Sequence, residues 1–157
     1  MVSIDALEWT GDPVAFLYES ARVCADGGRV VAVHTDWDTI VYAVADEELA
    51  RRLLRDFSDS GPAGWMGRRL PSLMRRAGLE DIECHVDVIL EQTYDAESYG
   101  HYLAQVVADW LRAKRAASDD DISQWLADLD GRHRDGDYLF SANRYICAGR
   151  RGADRRS

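Results

Sequence analysis

The apolar positions of this chain follow two different periods, and the alternation between them sketches an α/β protein. Val2, Ile4 and Leu7, with Ser3, Asp5 and Ala6 between them, read as a short β-strand that ends at Glu8-Trp9. Thr10-Gly11-Asp12-Pro13 then breaks it, with Asp12 suited to an N-cap and Pro13 to the first helical position. Val14, Leu17, Ala21 and Cys24 recur at helical spacing, which predicts a helix over 13–25. Asp26-Gly27-Gly28 closes that helix with residues that tolerate positive φ. The run from Arg29 to His34 is continuous, small and β-branched, as in a parallel strand covered on both faces. Strand, helix and strand with tight connections make a βαβ unit, whose crossover is right-handed.

After a loop over 35–39, Leu49, Leu53, Leu54 and Phe57 predict a helix over 46–57. Ser60-Gly61-Pro62-Ala63-Gly64 interrupts the chain, and Leu70, Leu73, Met74 and Ala77 predict a second helix that closes at Gly78. Ile82, Cys84, Val86 and Val88 alternate as one face of a strand over 82–90. A long helix over 95–117 carries Tyr99, Tyr102, Leu103, Val106, Val107, Trp110 and Leu111. Ser118-Asp119-Asp120-Asp121 starts another helix, running to about Leu129, because these side chains cap free N–H groups and suit the positive end of the dipole. Tyr138 to Gly149 reads as a final strand, followed by a basic tail over 151–157.

The chain has 157 residues, one domain by size, and we take 1–150 as that domain. Its formal net charge of −9 disfavours binding to phosphate backbones, so no nucleic-acid partner is expected. The longest apolar run, Val30-Val31-Ala32-Val33, is too short to span a bilayer, and no secretory signal is evident. No membrane partner and a cytoplasmic location are therefore expected. Cys24, Cys84 and Cys147 are widely spaced and read as reduced thiols, and no Cys/His cluster has metal-site spacing.

Three segments together resemble the class I S-adenosylmethionine-dependent methyltransferases that act on small molecules. Val2-Ser3-Ile4-Asp5-Ala6-Leu7-Glu8-Trp9 followed by Asp12-Pro13 looks like that family's fourth strand and the turn after it. Ala25-Asp26-Gly27-Gly28-Arg29-Val30-Val31-Ala32-Val33 is similar to the Gly-Gly turn into the fifth strand, with Ala25-Asp26 in place of the usual basic residue and proline. Phe140-Ser141-Ala142-Asn143-Arg144-Tyr145-Ile146-Cys147-Ala148-Gly149-Arg150 resembles the last, antiparallel strand. Trp65 to Pro71 and Ala77-Gly78-Leu79 match the helix and turn before the sixth strand. The resemblance implies a partial Rossmann-like sheet in the order fourth, fifth, seventh, sixth strand, flanked by helices, with a helical insertion before the last strand. It covers nearly the whole chain. It also implies a truncated domain, because the family's Gly-rich cofactor loop and first three strands have no counterpart here.

Ligands of open α/β sheets bind beyond the carboxyl ends of the strands. Two loops fall there, Glu8-Trp9-Thr10 and His34-Thr35-Asp36-Trp37-Asp38-Thr39. On the resemblance, Glu8 and Trp9 are the cofactor contacts, the indole face being suited to adenine or to a sulfonium. Asp36, Trp37, Asp38, Tyr99 and His101 are candidates for the substrate, and His34 is the candidate general base. Packing alternatives stand beside these readings. Glu8 and Thr10 can cap the next helix, Trp9 can be a core aromatic, and His34 can satisfy a hydrogen bond within the fold. Arg68, Arg69, Arg75 and Arg76 read as a solvated helix face.

The implied function is methyl transfer from S-adenosylmethionine to a small molecule, active with a complementing N-terminal half. The alternative is a non-catalytic remnant or binding subunit, and an unrelated α/β binding module ranks last. Without the first three strands the edge formed by Val2 to Leu7 is open, so a homodimer or heterodimer through it is expected.

Overall fold

The computed structural model describes residues 1–60 and 64–152, which form two compact units. The first holds Met1–Asp36, Trp65–Asp87 and the chain from Asn143. The second holds Trp37–Gly64 and Val88–Ala142.

The first unit is a sheet with helices on one face. Strand β1 (Val2–Ile4) pairs parallel with β2 (Arg29–Thr35), Val2 lying opposite Val31 and Ile4 opposite Val33. The other edge of β2 pairs antiparallel with β5 (Phe140–Arg151), and β5 also pairs with β4 (Leu79–Glu91). Glu80 meets Gly152 while Cys84 meets Cys147, so contacts climb one of these two strands as they descend the other. Helices α1 (Pro13–Val23) and α3 (Met66–Arg76) pack on each other and on β2. They cover the face of β2 that carries Val30, Ala32 and His34, all buried. Asp12 caps α1 as expected, its Oδ1 accepting from the N–H groups of Val14 and Ala15 at 2.9 and 3.1 Å.

The second unit closes around its own core. Helices α2 (Glu47–Ser60), α4 (Tyr99–Lys114) and α5 (Asp119–Asp135) pack on one another. A short strand, β3 (Val41–Tyr42), pairs antiparallel with Phe140 and Ser141 at the start of β5. Leu53, Val107, Leu111, Ile122, Leu129 and Phe140 have no exposed surface. Tyr42, Tyr94, Tyr138 and Trp125 complete this core with tilted and edge-on ring contacts. Ser98 and Ser118 cap α4 and α5, accepting from the N–H groups of His101 and Asp121.

Several expectations change in detail. The first strand ends at Ile4 rather than Leu7, because Asp5 adopts a positive φ of 45° and a 3-10 turn, Leu7–Trp9, follows. The loop after β2 contains a second 3-10 turn, Trp37–Thr39, and then β3, whose two residues are too few to read as a strand. The long helix begins at Tyr99 rather than Asp95, since Asp95 Oδ1 accepts from the N–H of Ser98 at 2.9 Å in a turn ahead of the cap. Helix α5 runs on to Asp135, and Gly136, at φ 78°, ends it. Cys84 and Cys147, expected as separate thiols, form a disulfide between neighbouring strands, and Cys24 remains free. Most of the interruption at Ser60–Gly64, and the tail beyond Gly152, lie outside the described residues. Among the described residues no helix is long and apolar enough to cross a membrane.

Candidate functional site

In the first unit, the carboxyl ends of β1 and β2 carry a compact polar cluster. Asp5, turned inward by its positive φ, accepts through Oδ1 from the N–H of Thr35 at 2.9 Å. Arg144 of β5 closes the group, donating to Asp5 Oδ2 at 3.2 Å and to Thr35 Oγ1 at 3.3 Å. His34 is fully buried between them. Its Nδ1 lies 2.8 Å from the Thr35 carbonyl, and a carbonyl only accepts, so Nδ1 carries the proton. Its Nε2 faces Glu8 Oε2 at 3.8 Å. Glu8 keeps only 10% of its side chain exposed, whereas the next residue, Trp9, is 71% exposed. The 3-10 turn produces this contrast: it drives Leu7 into the core and leaves the indole outside.

Asp36 ends the same strand in a different way. Its carboxylate is wholly buried and held by a two-pronged guanidinium, with Arg68 Nε 2.6 Å from Oδ2 and Nη2 2.7 Å from Oδ1. The N–H of Arg68 adds a longer contact of 3.3 Å. Fork-to-fork pairing of this kind is the strong form of a charged hydrogen bond, and Lys would not reproduce it. The guanidinium also lies over the Trp65 ring at 5.6 Å. Gly67 makes the approach possible. A Cβ there would come within 2.7 Å of the Tyr145 ring, 3.0 Å of the His34 carbonyl and 3.1 Å of Asp36 Cβ.

The remaining candidates belong to the second unit. Trp37 packs edge-on against Phe57 at 6.1 Å and borders the core. Asp38 is exposed, and its N–H donates to the Gly64 carbonyl at 3.3 Å. Tyr99 sits in the first turn of α4, half-buried, with its N–H donating to Glu91 Oε1 at 3.0 Å. Its ring lies 6.0 Å from Phe140. The His101 ring contacts Tyr94 at 4.8 Å. Burial pushes the phenol of Tyr94 up to about 12 and raises those of Tyr42 and Tyr138 as well, with neighbouring tyrosines adding to the last two. A cavity of about 430 Å³ opens in this unit beside Ile40, Val44, Ala50 and Leu54, with Arg51 and Arg132 on its wall. None of the candidate residues lines it.

No protein-family model matches the chain. A 37.1 kDa uncharacterized protein of transposon Tn4556 from Streptomyces fradiae is 36% identical over 73 residues. That is 46% of this chain, and it spans about a fifth, 21%, of the relative. Among solved structures, YcgJ of Bacillus subtilis superposes with a TM-score of 0.51 at 15% identity, over 96% of this chain and 62% of its own. The strand order β1, β2, β5, β4 in the first unit, with β5 antiparallel, is the order that the resemblance implies. The fold is an α/β sheet flanked by helices, like that of YcgJ. BH2331 of Bacillus halodurans C-125, provisionally assigned as a methyltransferase, aligns over 97% of this chain and 68% of its own, at 12% identity and a TM-score of 0.49. At these identities the likeness is one of fold.

In this fold the two candidate loops sit at the ends of β1 and β2 as expected, but their contents divide. Glu8, His34 and Asp36 gather in the first unit, and Trp37, Asp38, Tyr99 and His101 in the second. Three residues of the first cluster escaped sequence reasoning: Asp5, Arg68 and Arg144. Arg68 reads as one more base on a solvated helix. The available signal was the glycine before it, since a glycine inside a helix costs stability unless something packs closely there. Nothing local marks Asp5 or Arg144, which are 139 positions apart.

Proposed function

We propose that this chain acts with S-adenosylmethionine on a small molecule, as a methyltransferase-type protein completed by an N-terminal half that supplies the Gly-rich loop. The observation that carries the reading is the pairing of an exposed Trp9 with a nearly buried Glu8 at the carboxyl end of β1. An indole 71% exposed leaves its face open to a flat ligand. An indole face beside a fixed carboxylate suits an adenosine group, with stacking for the base and hydrogen-bond acceptance for hydroxyls. Glu8 and Trp9 are therefore the residues that would hold the cofactor on this chain. When bound, the cofactor supplies a methyl group already activated as a sulfonium, so the protein's task is chiefly alignment and exclusion of water. Arg144 serves that task by fixing Asp5, and Arg68 does so by fixing Asp36. Trp37, Asp38, Tyr99 and His101 of the second unit are proposed, on their chemistry alone, as contacts for a small molecule. Their mixture of carboxylate, imidazole and aromatic faces suits a polar molecule with a flat or apolar body.

This reading places the chain in the cytoplasm, where a Cys84–Cys147 pair would be held reduced. Thiol alkylation in intact cells, followed by mass analysis, tests that directly. The cofactor reading is tested by calorimetric titration of the chain with S-adenosylmethionine and S-adenosylhomocysteine. Micromolar binding that weakens about tenfold, or ~1.4 kcal/mol, in Trp9→Ala supports it. Absence of heat with both compounds overturns cofactor binding by these residues.

A further inference from the structure

The cavity of about 430 Å³ in the second unit lies along β3 and α2. Its lining is chiefly apolar: Ile40, Tyr42 and Ala50 are buried, and Val44 and Leu54 are partly covered. The Tyr42 hydroxyl is committed, donating to the Gly100 carbonyl at 2.8 Å. Three charged side chains share the wall. Glu47 and Arg51, one turn apart on α2, are both exposed and neutralise each other, with Arg51 Nη2 2.6 Å from Glu47 Oε2. Arg132, near the end of α5, differs from them. Its side chain is only 31% exposed, and among the described residues its guanidinium makes no hydrogen bond. Its acidic partners, Asp128 and Asp137, each stand at 3.7 Å, beyond hydrogen-bond range. Asp128 is already engaged, its Oδ2 accepting from the Ala45 N–H at 2.7 Å. Asp137 lies out in solvent, where its charge is screened. The cavity thus joins an apolar lining to one largely covered cation whose donors the fold does not use.

We propose that this cavity binds a small monocarboxylate with an apolar body, the carboxylate meeting Arg132 and the body lying against Ile40, Val44, Ala50 and Leu54. Pockets of this size that are mostly apolar, with a few placed polar groups, are the usual form of a small-molecule site. A guanidinium fork matches the two oxygens of a carboxylate with parallel N–H···O bonds, which supplies orientation as well as attraction. The charge of the ligand follows from the neighbours of Arg132. With Glu47 on the wall and Asp128 and Asp137 beside the guanidinium, a second negative charge on the ligand meets repulsion. A neutral ligand forgoes the charge-assisted bond that the fold leaves open. The body is apolar because the lining is, and because the one phenol in it already donates within the fold. The site goes beyond the methyl-transfer reading, since none of the residues assigned there lines it.

Amide NMR on the isotope-labelled whole chain, titrated with hydrocinnamate, reads both affinity and place. The expected result is saturable shifts at Val41, Val44, Ala50 and Leu54, with a dissociation constant on the order of 1 mM for so small a ligand. Hydrocinnamyl alcohol has the same body without the charge and should bind at least about fivefold more weakly. Benzylmalonate, which adds a second carboxylate to that body, should bind no more tightly than hydrocinnamate. Arg132→Gln should weaken hydrocinnamate at least about fivefold, and the exposed Arg51→Gln less than about twofold. Shifts that fail to saturate well above the expected constant overturn the proposal, as do shifts confined to other parts of the chain. Equal binding of the alcohol, tighter binding of benzylmalonate, or indifference to Arg132→Gln also overturns it. The comparison of the three compounds uses the unaltered protein, so it decides the matter even if Arg132→Gln disturbs folding. None of these results depends on S-adenosylmethionine, so failure here and failure of the titration above are separate outcomes.

Discussion

The two units of this molecule solve the burial problem to different degrees. In the second unit, α2, α4 and α5 bring Leu53, Val107, Leu111, Ile122 and Leu129 together with β3 and the start of β5, and none of these five keeps any exposed surface. In the first unit, α1 and α3 cover one face of the sheet, while Val2 and Ile4 stand in solvent on the other. A sheet needs layers on both faces to bury its apolar strands, whereas a small helical cluster can close on itself. The unsatisfied unit is also the one whose strand ends collect Asp5, Glu8, His34, Asp36, Arg68 and Arg144.

Substitutions can break or sharpen that contrast. The largest effect is expected in the closed core: Leu53→Ala should cost about 2–5 kcal/mol, measured by urea unfolding, since a wholly buried leucine leaves a cavity behind. A loss below about 1 kcal/mol would mean that the second unit is looser than described. Next comes the buried pair of the first unit. Arg68→Ala should cost about 2 kcal/mol, less than the loss typical of fully buried pairs because the guanidinium keeps 39% of its surface. Arg68→Lys should restore only part of this, for want of the second prong.

Alkaline titration separates the units without mutation. Burial holds Tyr94 protonated up to about 12, above the ordinary 10 of an unfolded chain. The native state therefore binds more protons than the unfolded state between those values, and stability falls as pH rises through the window. Tyr42 and Tyr138, raised by the same cause, act in the same direction. Melting followed by near-ultraviolet dichroism should show no loss from these groups below pH ~10 and a steep loss above it. The smallest effect is expected at the open edge, where Ile4→Ser should change the stability of the dilute protein by less than about 0.5 kcal/mol. A larger loss there would mean that the face is covered.

Much of this architecture is legible in the residues themselves. Asp12-Pro13, Ser98 and Ser118 mark helix starts because capping chemistry is local, and the strand over Arg29 to His34 shows as an unbroken apolar run. The order of strands across the sheet follows from the resemblance of three segments taken together. Elements set by tertiary contact were harder to see. β3 is too short to have a period, and β1 stops early because Asp5 turns inward to Thr35 and Arg144, residues far along the chain. The same cause limited the site. Trp9 and Glu8 are candidates by their position after a strand, but whether the tryptophan points in or out depends on the 3-10 turn. Asp36 reads as a ligand group from its loop, and the pairing of its carboxylate with Arg68, 32 positions away, is hidden because Arg68 reads as surface charge.

Hydrogen exchange on the dilute protein tests the central contrast most directly, because it reports protection residue by residue. The account predicts that Ile4 N–H, which faces away from β2, exchanges at close to the open-chain rate, while the N–H groups of Val107 and Leu111 in α4 are protected to the limit of global unfolding. Equal protection at Ile4 and in α4 would contradict it, since the edge of the first unit would then already be closed.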